Sequence, residues 1–217
     1  TPPLESLRAV LSMASTTLPG WRPCRDPKSD RRTQISFVDI AIARAYFNAK
    51  VDPDCPTYVS LPREDPDHLE MRARLICHMY GARAAADGWQ EEYSVTLVTK
   101  MGFLQGRATP CAFRHPARRI VVNVHGDDLT AVGPKAELDW HESELEKHYD
   151  ITAQPRLGPA PEDAREGLVL NRVVRWCTGK VEYEADPRQI EQLVADCGLE
   201  GAKTMATPGV KPTFNEL

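Results

Sequence analysis

Three features are scarce in this sequence, and each scarcity excludes a class of protein. No apolar run approaches the roughly 20 residues that a membrane-spanning helix needs, so we expect no membrane partner. The six cysteines are spread singly through 217 residues without a C-x-x-C pair, which excludes a disulfide framework and predicts free thiols. Excess basic charge is also missing: the formal net charge of −4 excludes a protein that holds nucleic acid over its whole surface.

The rest of the composition is that of an ordinary globular chain, with 41% hydrophobic and 27% charged residues. A length of 217 residues fits one large domain or two small ones. Basic residues gather at 22–32 and at 114–119, so any contact with nucleic acid is expected to be local. No basic leader or cleavable apolar segment is visible, and the sequence therefore shows no targeting signal.

Apolar periodicity predicts most of the helices. Leucines and small residues at helical spacing predict a helix over 2–14, and Pro134 opens another that runs to about Tyr149. A long helix packed by an alanine-rich face is predicted from Leu69 to about Lys100, and Gly81 and Gly88, which weaken it, leave two helices as the alternative.

A C-terminal helix has the clearest end signals. Asp186 is its predicted N-cap, Pro187 its first residue, and Gly198 follows its last apolar residue. Strands are predicted in QISFVDI, at 58–61, on both sides of HGDD, in EGLVLNRVVRW and in KVEYEA, the last two joined around 178–179. This mixed order predicts an α+β fold with helices on one face of an antiparallel sheet.

Asp39, Asp127 and Asp128 lie in or beside predicted strands that are far apart in the sequence. If those strands are neighbours, the three carboxylates meet at one edge of the sheet, where Mg²⁺ or Mn²⁺ finds the oxygen ligands that it prefers. Two such ions can activate a 3′-hydroxyl and stabilise a leaving pyrophosphate. Gly and Asp are also favoured in hairpin turns, so HGDDLT taken alone favours a plain turn over a metal site, and this alternative stays open.

Several short motifs follow one another along most of the chain. They are PPLESLRAVLSMA, FVDIAIARAYFNAKVDPDCPTYVSLP, MYGARAAADGW, MGF with ATPCAF, HGDDL, and the run from RLG through EGLVLNRVVRW and KVEYEADPRQIEQLVADCGL to ATPG. In this order and spacing they resemble the reverse transcriptase domain of copia-type (Pseudoviridae-like) retrotransposon polyproteins, with HGDDL in the place of the family's Tyr-Val-Asp-Asp-Leu.

The resemblance implies a right-hand polymerase fold. Residues 1–152 would form partial fingers and a palm with an antiparallel sheet backed by helices, and 153–217 a thumb-like or connection-like region. The implied reaction is RNA-directed DNA polymerisation, a nucleotidyl transfer to a primer 3′-hydroxyl. The implied partners are an RNA template, a DNA primer, deoxynucleotide triphosphates and the integrase and ribonuclease H regions of the same polyprotein. The expected location is intracellular, in a cytoplasmic particle or the nucleus.

The resemblance also implies roles for individual residues. Asp39, Asp127 and Asp128 would be catalytic and would hold Mg²⁺ or Mn²⁺. Tyr46 would exclude a ribose 2′-hydroxyl, although a strict count from Asp39 gives that place to Arg44. Gly126 would support the tight turn that faces the substrate.

Departures from the family pattern leave other interpretations open. Ala45 stands six residues after Asp39, where the family has its small residue four after the catalytic Asp. An extra pair of residues that stays extended slides Asp39 by about 6 to 7 Å, so catalysis requires that a bulge or turn absorbs the pair. The main alternative is therefore a catalytically inactive, decayed polymerase fold that still binds nucleic acid. A palm-fold nucleotide cyclase or RNA polymerase is a third.

Overall fold

Strand β1 (Ile35–Ile42) lies inside the main sheet and carries buried side chains on both faces. The computed structural model describes residues 4–15, 35–177, 180–184 and 187–203. The other elements are α1 (Leu4–Ser15), β2 (Tyr58–Ser60), β3 (Arg72–Arg74), α2 (Ala85–Val95), β4 (Leu104–Gln105), β5 (Ala112–Arg114), β6 (Val121–His125), β7 (Asp128–Pro134), α3 (Lys135–Leu145), β8 (Ile151–Ala153), β9 (Glu166–Val169), β10 (Arg172–Cys177), β11 (Lys180–Tyr183) and α4 (Pro187–Asp196).

The main sheet has six antiparallel strands in the order β4-β5-β6-β7-β1-β8. A three-stranded sheet, β11-β10-β9, and a two-stranded ribbon, β2-β3, complete the strands of the described ranges. A 3₁₀ turn, Ala45–Asn48, follows β1, and a π-helical turn, Thr96–Lys100, follows α2. The predicted α+β class with an antiparallel sheet is confirmed.

One face of the main sheet is covered by α2 and α3. Val38, Ile40 and Ile42 of β1 point to this face because alternate residues of a strand share a side. They pack with Trp89 of α2 and Leu138 of α3 in one buried cluster. Full burial of side chains of this size stabilises the fold by roughly 1.5 to 3 kcal/mol each.

The opposite face of β1 meets a second core. Phe37 packs there with Leu7 of α1 and with Val169 and Val174 of the three-stranded sheet. Asp39 lies two residues further along the same face, where the apolar contacts end. The alternation of β1 therefore delivers the carboxylate to the side of the sheet that α2 and α3 do not cover.

Several predicted elements are confirmed at nearly the predicted bounds. They are α1, the β6–β7 hairpin, β2 and α3, which follows Pro134 directly and ends at Leu145. Helix α4 begins at Pro187, and Gly198 beyond its end has a φ of +65°, as a glycine after a helix C-terminus often does. The predicted N-cap Asp186 lies outside the described residues.

The prediction of one long helix from Leu69 to Lys100 is wrong. The α-helix spans only Ala85–Val95, and residues 72–74 form β3, which pairs with β2. Gly81 adopts a φ of +88°, which interrupts a helix. Leu69 and Ile76 are exposed, so the first half of the segment offers no continuous apolar face.

The interpretation of EGLVLNRVVRW as one strand is also wrong. The segment forms two antiparallel strands, β9 and β10, joined by Leu170 and Asn171. Both joining residues have positive φ, of 49° and 59°. Asn tolerates this conformation, but Leu rarely adopts it, so only one of the two residues is typical of a turn and the sequence did not predict one here. The predicted junction at 178–179 lies outside the described residues.

The unit that holds the main sheet extends to Tyr183, and a second unit, which contains α4, begins at Glu184. The predicted division at 152/153 falls inside β8, which pairs with β1. Beyond it, Leu157 and Val174 pack into the same core as Phe37. The described residues between 153 and 183 thus belong to the first unit, and their thumb-like assignment stays a prediction.

Within the described ranges, no helix combines the length and the apolar content needed to cross a membrane. The thiols described by the structure are free, as predicted, and Cys24 lies outside the described residues. They are Cys55, Cys77, Cys111, Cys177 and Cys197.

Candidate active site

A two-residue turn, Gly126–Asp127, builds the tip of the β6–β7 hairpin, and His125 pairs with Asp128 across its base. Gly126 has a φ of +66°, which glycine adopts without steric cost. The indole Nε1 of the buried Trp89 donates a 2.7 Å hydrogen bond to the Gly126 carbonyl. Helix α2 therefore fixes the position of the tip.

Strand β1 runs beside β7 in continuous register, with Asp39 opposite Thr130 and Ala41 opposite Asp128. Facing partners and alternate residues point to the same side, so all four share one face of the sheet. Thr130 Oγ1 donates a 2.7 Å hydrogen bond to Asp39 Oδ1. No bulge interrupts β1 between Asp39 and Ile42, so Asp39 and Asp128 are diagonal neighbours and do not face each other.

Asp39 and Asp128 line one cavity of about 380 Å³. The remaining lining comes from Ala41, Gln154, Leu168, Leu170 and Asn171. The cavity thus lies between the end of β1, the hairpin base, the residue after β8 and the β9–β10 turn. Left-handed backbone at a non-glycine residue such as Leu170 costs on the order of 1 to 3 kcal/mol, so its surroundings hold this wall in place.

Both carboxyl groups in the cavity are shifted toward the neutral form. Burial raises the pKa of Asp39 from 3.8 to about 6; the hydrogen bond from Thr130 opposes this rise, and the charge of Asp128 adds to it. Burial also raises the pKa of Asp128, followed by the charge of Asp127, while His125 lowers it. Within the described ranges, no Lys or Arg forms an ion pair with either carboxylate. Both carboxylates therefore lack a Lys or Arg partner among the described residues, and His125 only partly offsets the charge at Asp128.

Asp127 belongs to a different side of the tip. It is exposed and does not line the cavity. Partial burial raises the pKa of the Tyr80 hydroxyl, and the charge of Asp127 adds to the rise. The Tyr80 ring in turn packs edge-on against Tyr46, with 4.5 Å between the ring centroids. Asp127 thus lies near a pair of packed tyrosines, Tyr80 and Tyr46, and not in the cavity.

The structure brings together two of the five predicted site residues. Asp39 and Asp128 line the cavity, whereas Asp127, Gly126 and Tyr46 do not. Within the described ranges, no group of three His, Cys, Asp or Glu side chains is arranged to hold a metal ion. The three carboxylates are not assembled because Asp127 occupies the turn, outside the alternation that places the other two on one face. Their roles in catalysis and metal binding stay predictions.

Sequence reasoning missed three polar residues around the carboxylates. Thr130 could have been found, because it follows Asp128 by two residues and therefore shares its face. Gln154 lines the cavity just after a short edge strand, and Asn171 lines it from a turn in another sheet. Only tertiary packing brings those two to the site, so no local signal in the sequence marks them.

No protein-family model and no curated protein matches this sequence. Among solved structures, the chain is similar to an apo telomerase from Candida tropicalis, truncated from its C-terminal domain. The TM-score is 0.49 at 8% sequence identity, and the match covers 83% of this chain and 40% of that one. The chain therefore spans less than half of that structure's length. A likeness of this size assigns no family.

The predicted basic patch at 114–119 is partly used inside the fold. Arg118 Nη1 lies 2.7 Å from Glu137 Oε2, and the guanidinium stacks 3.8 Å from the centre of the Trp140 ring. Arg118 thus anchors its loop to α3, which limits its availability to a phosphate backbone. The other predicted patch, 22–32, lies outside the described residues.

Proposed function

We propose that this chain is a fragment of a retrotransposon polyprotein of the copia type and contains the palm of its reverse transcriptase. It would extend a DNA primer on an RNA template with deoxynucleotide triphosphates, next to the integrase and ribonuclease H regions of the polyprotein, in a cytoplasmic particle or the nucleus. One observation carries the proposal: Asp39 and Asp128, far apart in the sequence, line one cavity on the face of an antiparallel sheet that helices α2 and α3 leave uncovered.

The donor set of the cavity fits a hard divalent cation such as Mg²⁺ or Mn²⁺. Asp39 and Asp128 would hold it, and the amide oxygens of Gln154 and Asn171 are further candidate ligands. Magnesium typically binds one or two carboxylates and completes its shell with waters and substrate phosphates. Burial is the main cause of the raised pKa of both carboxyls, and a bound cation would favour their charged forms. When bound, the ion would neutralise charge on the phosphates of the nucleotide.

The protein's own groups position the site. Thr130 orients the Asp39 carboxyl through its hydrogen bond, and Trp89 holds the hairpin tip through the Gly126 carbonyl. Tyr46, braced by Tyr80, stays the predicted residue for excluding a ribose 2′-hydroxyl. Positioning and charge neutralisation are the main demands of phosphoryl transfer, since the protein contributes little covalent chemistry.

A primer-extension assay on poly(rA) with an oligo(dT) primer and Mg²⁺ tests the proposal. We expect incorporation of deoxythymidine by the wild-type chain and loss of at least about a hundredfold in Asp128→Asn, because the variant removes a charge from the cavity. Glu91→Gln, at an exposed position on α2, is the matched control and should keep wild-type activity. Equal rates in Asp128→Asn and wild type would refute the site.

The uninterrupted register of β1 favours a second candidate, a polymerase fold that binds nucleic acid without chemistry. Asp39 faces Thr130, and the residue that faces Asp128 is an alanine. This candidate predicts salt-sensitive binding of the primer-template, without incorporation in either Mg²⁺ or Mn²⁺. Fluorescence anisotropy on the same duplex, beside the extension assay, separates the two candidates.

A further inference from the structure

Position 41 is the position on β1 that directly faces Asp128. Side chains that face each other across an antiparallel pair have Cβ atoms about 4.5 to 5.5 Å apart, whereas diagonal neighbours are about 7 to 8 Å apart. Ala41 is the facing partner of Asp128, and Asp39 is the diagonal one. The closest position for a second ligand thus carries a methyl group.

Asp39 is also engaged elsewhere. Its Oδ1 accepts the 2.7 Å hydrogen bond from Thr130, its own facing partner, and the residue is only 8% exposed. Moving this carboxylate toward Asp128 would break a buried hydrogen bond and leave the Thr130 hydroxyl without its acceptor. Asp39 is therefore held at the side of the cavity away from the hairpin tip.

Ala41 has room for a larger side chain. It is half-buried, lines the cavity of about 380 Å³, and shares a face with Asp39 and Asp128. On its other side it faces Thr152 of β8, an exposed residue. An aspartate at position 41 would therefore extend into the same cavity as both existing carboxylates.

We infer that Ala41 limits the affinity of this cavity for divalent cations, and that a carboxylate at this position completes a cation site with Asp128. The inference rests on the proposed cation-binding role of the cavity. It predicts weak binding by the natural chain, because its two carboxylates lie on a diagonal. It also identifies the residue that would have to change for tight binding.

The test measures Mn²⁺ binding to the full 217-residue chain by electron paramagnetic resonance. Ala41→Asp should lower the Kd for Mn²⁺ by at least about tenfold. Ala41→Asn matches its size without the charge, and Thr152→Asp places the same charge on the far side of position 41 from Asp128; neither should reproduce the gain. The gain should also disappear when Ala41→Asp is combined with Asp128→Asn.

Any of three outcomes would overturn the inference: Ala41→Asp binds Mn²⁺ no more tightly than the wild type or Ala41→Asn, Thr152→Asp gives the same gain, or the gain survives the addition of Asp128→Asn. If Ala41→Asp does not fold, Ala41→Glu carries the carboxylate to the same position with one more methylene and is held to the same criterion. Primer extension keeps this failure separate from that of the proposed function. If Ala41→Asp binds Mn²⁺ tightly but no variant extends the primer, the inference is supported and the proposed polymerase function is refuted. If the wild type extends the primer and binds Mn²⁺ as tightly as Ala41→Asp, the proposed function is supported and the inference is refuted.

Discussion

Asp39→Asn should stabilise the protein at neutral pH in the absence of divalent cations. The Asp39 carboxyl has its pKa raised from 3.8 to about 6, so its protonated form is favoured in the folded state. That contribution is present in full below about pH 4 and is lost as the pH rises through about 6. A shift of this size corresponds, at about 1.36 kcal/mol per unit, to roughly 3 kcal/mol at pH 7. Asparagine avoids this loss, and its Oδ1 can still accept the hydrogen bond from Thr130.

Urea unfolding in EDTA, between about pH 4 and pH 8, measures the difference in the free energy of unfolding. Asp39→Asn should gain about 2 to 3 kcal/mol over wild type at the upper end and little at the lower end. Asp127→Asn, at the exposed tip, is the matched control and should show no such gain. Saturating Mn²⁺ should stabilise the wild type and reduce the gap. A variant that is no more stable than wild type near pH 8 would show that the Asp39 carboxylate is not destabilised by burial.

Three further predictions concern the frame around the site. Burial lowers the pKa of His141 to about 3, so this residue should contribute a loss of up to about 1.4 kcal/mol of stability per pH unit below about 6.5, opposite in sign to the contribution of Asp39; His141→Phe should therefore gain stability over the wild type as the pH falls from about 6.5 to 4 in the same titration. Gly88→Ala would place a Cβ 2.3 Å from Nε2 of the buried His78 and should cost about 1 to 3 kcal/mol in urea unfolding; a neutral result would mean that the ring moves freely. Trp89→Phe removes the hydrogen bond to Gly126 and should cost about 1 kcal/mol or more and speed amide exchange at the tip, whereas unchanged exchange would show that α2 does not hold it.

Local patterns predicted the framework of the site but not its walls. The alternation in β1 and the glycine in HGDD predicted a strand and a hairpin, and the structure has both. Parity alone also explains why Asp39 and Asp128 share a face, since both lie at the in-phase positions of paired strands. The same rule separates Asp127 from them, because a turn residue does not follow the alternation. If Gly126 and Asp127 had been assigned as the two turn residues, the sequence would have predicted that Asp127 is separated from Asp39 and Asp128.

The parts that sequence could not predict depend on contacts between distant segments. Spacing of alanines suggested a helix through 69–100, but Gly81 at positive φ and the pairing of β2 with β3 overrode it. The Leu170–Asn171 turn has an unfavourable residue in its first position, so its energy must come from the surrounding core and not from local preference. The register between β1 and β7, which decides what faces Asp128, is likewise a property of the assembled sheet.

The two-sided burial of β1 separates the survival of this fold from the survival of its chemistry. Adding or losing a single residue within the strand would exchange its two faces and expose both cores to the wrong partners. A change by two residues keeps the apolar side chains on their proper sides of the sheet, so folding selects against it less strongly than against a change by one. The same change moves a carboxylate by the full repeat of the strand, about 6 to 7 Å, which a coordination shell cannot follow. A single insertion of two residues in β1 can therefore abolish metal-dependent catalysis while the protein still folds and packs well.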